Sequence, residues 1–260
     1  MTRMGIGLQL FTLRDALAED FEGTLRKVAA MGYEGVEFAG YGGIAADRMK
    51  ALLEELNLKA IGSHIGLDLL ENNLENEIAY LQTIGAKYAI CPWLPVDARD
   101  AEAWRGHLVN FEKYGRAFRE AGIAFAYHNH EFEFQVEIDG SIVFDAMYER
   151  IDPQYLQVEM DIGWVQFAGV DPLAYIRKYS GRLPLLHLKD YRNAEPGQPI
   201  DTVELGRGVL PLNAIIDAAA EASVEWIIVE QDRCANPPLQ AVAESMEWIK
   251  TNYLNAKAGK

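Results

Sequence analysis

The sequence predicts a single (β/α)8 barrel spanning residues 1–260, and three observations predict it. The length is that of one such barrel. Eight short apolar runs alternate with eight longer amphipathic segments, the pattern of parallel strands joined by crossover helices. Four of the later runs, IAFAYHNH, YLQVEMD, LPLLHLKD and EWIIVEQD, end in side chains that bind metals. In a (β/α)8 barrel the C-terminal strand ends share one mouth, so these His, Asp and Glu residues would converge on one divalent cation.

The strands are read, in order, as Gly5–Phe11, Gly35–Phe38, Ala60–His64, Tyr88–Pro92, Ile123–His130, Tyr155–Asp161, Leu183–Lys189 and Trp226–Gln231. The helices are placed near 19–31, 45–57, 74–84, 100–121, 142–150, 172–180, 211–222 and 238–254. Gly32, Gly85 and Gly122 each stand after a helical run and before a strand, where a left-handed helix stop is needed. Asp20, Asp100 and Asp171 are placed to cap helix starts, and Pro172 and Pro211 suit first turns. The Gly-, Pro- and Asn-containing stretch Arg192–Val209 reads as an unstructured mouth loop after the seventh strand. The tail Asn255–Lys260 reads as frayed.

Half the residues are hydrophobic and 24% are charged, so the chain can bury a large core. The net charge of −15 disfavours nucleic acid and anionic membranes as partners, because both require clustered Lys and Arg. The two cysteines, Cys91 and Cys234, form no CxxC or zinc-finger spacing. The N-terminal stretch lacks the hydrophobic region of a signal peptide, and no later run approaches a membrane span. A soluble, cytoplasmic protein is the expectation, with homo-oligomerisation left open.

Strand alternation assigns the candidate site. In the fifth strand Ala124, Ala126, His128 and His130 share one face, with Ile123, Phe125 and Tyr127 on the other. The two histidines suit one metal ligand and one acid/base group. Glu159 and Asp161 share a face of the sixth strand, and such paired carboxylates need a cation or donors to offset their repulsion. Lys189 provides one such partner and is also placed to polarise a substrate oxygen. His187 shares its face and suits a metal, while Asp190 faces away and is placed to cap a loop. Glu230 closes the apolar run Ile227-Ile228-Val229. His64 ends the third strand as a substrate contact, and Trp164 is a candidate sugar-stacking wall. Gln9, Glu37 and Trp93 are further mouth candidates, whereas His107, inside a long helix, reads as a packing or surface residue.

The whole chain resembles the xylose-isomerase-like TIM barrel superfamily, the sugar phosphate isomerase/epimerase group. The resemblance is carried by GLQLFTLRD at 7–15, GYEGVEF at 32–38, YHNHEFEF at 127–134, DIGW at 161–164, HLKD at 187–190, GRG at 206–208 and VEQD at 229–232. It implies one divalent ion (Mn, Zn, Co or Mg) held by Glu, Asp, His and Glu from strands five to eight. Asp161, His187 and Glu230 match the last three. The first is replaced by His128-Asn129-His130, with His130, nearer the mouth, as the preferred ligand and His128 as the base. Glu230 has a second role as a catalytic acid/base group, and Glu133 matches a substrate-contacting Glu of ketose 3-epimerases. Glu159 and Lys189 complete the substrate-binding set.

The implied reaction is removal of a proton beside the carbonyl of a sugar or keto-sugar, giving an enediolate. Isomerisation, epimerisation, or elimination of the inosose dehydratase or keto-glycoside lyase type would follow. Net charge and the five histidines argue against an endonuclease IV-like repair enzyme. The presence of Asp161, His187 and Glu230 argues against a non-catalytic sugar-binding barrel.

Overall fold

A closed ring of eight parallel strands organises the chain in a computed structural model that describes residues 3–192 and 199–255. The strands are β1 Gly5–Gln9, β2 Gly35–Phe38, β3 Lys59–His64, β4 Tyr88–Cys91, β5 Ala124–His128, β6 Gln157–Asp161, β7 Leu185–Leu188 and β8 Trp226–Val229. Consecutive strands are neighbours, and β8 returns to pair with β1 through Gly5↔Trp226 to Leu8↔Val229. This is the predicted (β/α)8 barrel. Several strands stop one to three residues earlier than their apolar runs, because the last residues leave the ladder to form the mouth.

The alternation expected from sequence divides the core in two. Ile61, Tyr88, Ile90, Ala126, Leu185 and Ile228 form a separate buried cluster inside the barrel. The opposite faces of the same strands join the large layer under the helices, where Phe125 stacks on Phe118 at 5.5 Å and Tyr127 meets Phe111 at 5.4 Å. Such a filled interior makes the barrel a packed core with chemistry confined to its mouth.

The helices that alternate with the strands are α1 Arg14–Glu19, α2 Phe21–Met31, α3 Ala46–Leu56, α4 Leu67–Asn72, α5 Leu74–Ile84, α6 Ala101–Glu120, α7 Val143–Arg150, α8 Ile162–Phe167, α9 Pro172–Lys178, α10 Leu212–Glu221 and α11 Pro238–Ile249. Asp20, Asp100 and Asp171 accept backbone N–H bonds at the starts of α2, α6 and α9, as expected. Gly32, Gly85 and Gly122 have φ of 101°, 72° and 79°, the left-handed stops that the sequence indicated. Pro211 precedes α10 instead of lying in its first turn.

The stretch after β7 is more ordered than expected. Asp190–Arg192 pairs antiparallel with Asp201–Val203, and Asp190 accepts from the backbone N–H of Tyr191, Gly206, Gly208 and Leu210. One buried carboxylate thus supplies the loop with the acceptors that a sheet would otherwise provide. The remainder of that expected loop at 193–198, and the tail at 256–260, lie outside the described residues.

Helix α6 crosses the chain before β6 so closely that a Cβ at Gly115 would lie 1.9 Å from the Tyr155 carbonyl oxygen. Gly115→Ala is therefore expected to destabilise by about 3 kcal/mol despite the better helix propensity of Ala. Chemical denaturation of the purified variant measures this directly.

Candidate active site at the barrel mouth

The polar ends of six strands meet at one place. His128 closes β5, Asp161 closes β6, His187 lies in β7, and Glu230 follows β8. His64 closes β3 and Glu37 lies in β2. Ring centroids of His128 and His187 are 4.5 Å apart, and His64 lies 5.0 Å and 5.6 Å from them.

Asp161 shows how local folding sets up the site. Its Oδ1 accepts from the N–H groups of Gly163 and Trp164, capping α8. Its Oδ2 is left for the interior. Asn129 holds the neighbouring strand end by accepting from Asp161 N at 3.0 Å and donating to Asp161 O at 3.3 Å. Helix α8 was not anticipated; at six residues it is too short for a periodic pattern, and the Asp161 cap is its sequence signal.

Donor atoms of His128, Asp161, His187 and Glu230 all lie within 4.8 Å of one another. Two imidazoles and two carboxylates are a suitable donor set for a divalent cation of the zinc or manganese kind. A second grouping, His64, His128, Glu159 and His187, shares both imidazoles with the first. The first has two carboxylates against the second's one, and both open on the cavity, the first through His128 and Glu230 and the second through His64 and His128. Buried oxygens without a hydrogen-bond partner, Glu37 Oε2 and Glu159 Oε1, add to the negative character of the floor.

His130 does not join either grouping. It lies beyond the end of β5, with its ring 5.6 Å from Phe132 and 5.2 Å from Trp164. The strand-five member that the geometry brings to Asp161, His187 and Glu230 is His128, which reverses the preference drawn from sequence. Period-two alternation put both histidines on one face, but the strand ends at His128 and its register no longer governs His130.

Lys189 has no exposed surface and does not line the cavity. Its Nζ lies 2.7 Å from Asp161 Oδ2, 3.0 Å from Glu230 Oε2 and 2.8 Å from Asp232 Oδ2. It is a counter-charge to three carboxylates. Glu159, also fully buried, is bound to His64 Nε2 at 2.8 Å and is not on the cavity wall. Trp164 is half-buried, against His130 and 5.3 Å from Lys189 Nζ; it supports the wall from behind.

Glu133 faces away from the mouth as well. Its oxygens accept from the Tyr127 hydroxyl at 2.7 Å and from His130 N at 2.8 Å, and it has no exposed surface. Burial outweighs these donors and pushes its carboxyl up to about 8. The neutral form is thus favoured in the fold. Its contribution is fully present below the unfolded value near 4.5 and is lost as pH rises through about 8. The stability of Glu133→Gln relative to the parent is therefore expected to improve between about pH 5 and pH 9, which thermal melts across that range would show.

Charges elsewhere follow from the pairings. Burial opposes ionisation of Glu37, but His64 and His187 outweigh it and hold the carboxyl well below the usual range. Burial likewise opposes a charged His64, yet Glu37 at 3.0 Å and Glu159 raise it to about 9. His130, desolvated and facing the Lys189 charge, is lowered to about 3. Burial raises Asp161 to about 6 against the pull of Lys189, while Glu230 is held low by Lys189 and His187 despite its burial.

Above these groups lies a cavity of ≈ 500 Å³ lined by Phe11, Ala39, His64, Pro92, Trp93, His128, His130, Glu230 and Asp232. Asp232 lines the same wall, and its position two residues after Glu230 is the sequence signal for it. Gln9 and Glu37, expected at the mouth, are buried and linked by a 2.7 Å bond that orients Glu37 toward the imidazoles. His107 is buried in α6 and bonds Ala98 O at 2.9 Å, a packing role.

The fold and the cluster of strand-end His, Asp and Glu residues define a class, the barrels with a polar, metal-competent mouth. The sequence profile of the xylose isomerase-like TIM barrel family matches residues 25–252, and the chain belongs to that family. It is 27% identical over 165 residues to an inosose dehydratase of Clostridium tetani, matching 57% of this chain and 54% of that protein. It is 23% identical over 192 residues to an inosose dehydratase of Geobacillus kaustophilus, matching 65% and 61%. The chain thus spans little more than half the length of the curated relatives it matches. A sugar phosphate isomerase/epimerase of Parabacteroides distasonis superposes with a TM-score of 0.80 at 24% identity, covering 95% of this chain and 98% of that one. The IOLI protein with a bound zinc atom superposes at 0.75 and 13% identity, covering 96% and 99%. At these identities the structural likeness is one of fold. No described helix is long and apolar enough to cross a membrane.

Proposed function

We propose that this protein is a divalent-metal-dependent enzyme that removes a proton beside the carbonyl of a sugar or cyclitol ketone. Elimination of the neighbouring oxygen, as in a dehydratase, is the preferred outcome. The observation that carries this reading is the convergence of His128, Asp161, His187 and Glu230 beneath a cavity that two further imidazoles, His64 and His130, also line. A cation held by those four side chains would act as a Lewis acid toward the carbonyl oxygen. The curated relatives named inosose dehydratase support the elimination branch. So does the lack of a strand-five Glu, which removes the paired glutamates of ketose 3-epimerases.

His130 and His64 take opposite parts. The His130 ring is neutral and has no carboxylate bonded to it among the described residues, so it can accept the α-proton, and its low basicity, set by burial and the Lys189 charge, requires that the hydrogen beside the carbonyl be acidified first. His64 is backed by Glu37 and Glu159, which keep a proton on the ring that it can deliver to the departing oxygen. Glu230, reaching the cavity beside them, holds the substrate oxygens and shares the acid/base work. Return of the proton to carbon instead of loss of the oxygen gives isomerisation or epimerisation from the same groups.

Replacing His130 by Gln, or His64 by Gln, is expected to lower kcat by about 10²–10⁴ while the bound metal is retained. Steady-state kinetics paired with elemental analysis tests this. Full activity in both variants on a confirmed substrate would overturn the acid/base assignment.

A further inference from the structure

The two imidazoles of the proposed cation site are held differently. His187 lies between two carboxylates. Its Nδ1 is 2.9 Å from Glu230 Oε2, on the side of the proposed ligands, and its Nε2 is 2.8 Å from Glu37 Oε1. A neutral imidazole carries its proton on one nitrogen, and the nitrogen that binds a cation must be bare. A glutamate carboxylate only accepts hydrogen bonds, so the N–H of a cation-bound His187 belongs at Nε2 and donates to Glu37. His128 lacks such a brace: its Nδ1 lies 3.3 Å from Glu159 Oε2 and makes no hydrogen bond among the described residues.

Glu37 is itself fixed. Gln9 Nε2 donates to its Oε1 at 2.7 Å, and Gln9 Oε1 accepts from Phe11 N at 2.9 Å, which ties the carboxylate to the backbone just beyond β1. His64 Nε2 lies 3.0 Å from the same oxygen. Oε2, equally buried, has no partner among the described residues. Burying a carboxylate completely is costly, and here its donors are gathered on the one oxygen that faces the imidazoles. That arrangement serves the orientation of the rings better than the satisfaction of the glutamate.

We propose that Glu37 is a positioning residue for the cation: through Oε1 it fixes the tautomer and ring angle of His187, strengthens Nδ1 as a donor, and so sets how tightly the divalent ion is held. The inference rests on the metal-dependent reading above and concerns a residue outside the ligand set. A carboxylate behind a metal-bound imidazole orients the ring and raises its basicity, and losing such a group typically costs about 10–100-fold in metal affinity.

The test reads metal binding instead of turnover. Full-length protein freed of metal is titrated with Zn²⁺ against a chromophoric chelator, and with Co²⁺ by visible absorption. Glu37→Gln keeps the shape and removes the charge; it is expected to weaken Zn²⁺ binding by about 10–100-fold and to shift the Co²⁺ bands. Glu133→Gln makes the same change at an equally buried glutamate that bonds the Tyr127 hydroxyl and His130 N and none of the proposed ligands. Its Zn²⁺ affinity and Co²⁺ spectrum are expected to match the parent's. Parental affinity and unmoved Co²⁺ bands in Glu37→Gln overturn the inference and leave the cation site standing. Equal losses in the two variants mark a general effect of removing a buried glutamate and overturn it as well. A parent that binds neither ion overturns the metal-dependent reading itself. If Glu37→Gln does not fold, Gln9→Leu decides, because it keeps the Glu37 charge and removes its tether. Its Zn²⁺ affinity is expected to fall by at least about threefold, a smaller loss than that of the carboxylate itself, and an unchanged affinity overturns the inference.

Discussion

Replacing His128 with Ala is expected to strip the divalent cation from the protein and lower activity by at least about 10³-fold. The same loss is expected from Asp161→Asn. Removal of one of the four proposed ligands would open the coordination sphere, and electrostatic help at a developing oxyanion is commonly the largest catalytic contribution. His130→Gln, in contrast, should keep its metal. Elemental analysis of the two histidine variants after identical purification separates the roles. Metal retained in His128→Ala and lost in His130→Gln would restore the opposite assignment.

The second large effect concerns stability. Lys189→Met is expected to destabilise the metal-free protein by about 3–5 kcal/mol, the range for removing one partner of a buried ion pair. Its ammonium touches Asp161, Glu230 and Asp232, and two of these are almost wholly buried. Methionine fills similar volume but leaves the carboxylates facing one another. Addition of Mn²⁺ or Zn²⁺ should recover part of the loss by supplying the missing positive charge. Thermal melts with and without EDTA measure both effects. A melting temperature unchanged by the substitution would show that the three carboxylates are stabilised by other means.

Much of this architecture was legible because two periodicities coincide with it. Eight apolar runs with intervening amphipathic segments specify a barrel, and residues two apart on a strand share a face. Strand-end position gathered Asp161, His187, Glu230 and a strand-five histidine at one mouth, the family resemblance implied them as a ligand set, and the two-apart rule set their faces. That rule failed one step past the strand ends. His130 was assigned by continuing β5, whereas the chain turns at Glu131–Phe134 and Glu133 reaches back to bind His130 N. Glu133 itself could not be placed from sequence, since nothing local shows that Tyr127 on the outer face would claim its carboxylate.

Pairings between distant strands were likewise hidden. Glu37, Glu159 and His64 come from three strands, and only the closed ring shows that the two glutamates flank one imidazole. Lys189 was expected either to face substrate or to neutralise Glu159. Its actual partners depend on Asp232, whose position is set by the turn after β8. Phe11 was read as the end of a strand, but the chain enters a one-turn helix at Leu10–Leu13 and leaves the ring exposed at the rim.

Proton exchange in D₂O bears most directly on the proposed chemistry. Protein loaded with Mn²⁺, Co²⁺ or Zn²⁺ is incubated with an inosose and with a panel of keto-sugars and followed by proton NMR. The signal of the hydrogen beside the carbonyl is expected to disappear on at least one substrate, to persist when EDTA is present, and to disappear again when the metal is restored. Undiminished α-proton signals across the panel, from protein shown to hold one equivalent of metal, would contradict the proposed enzyme.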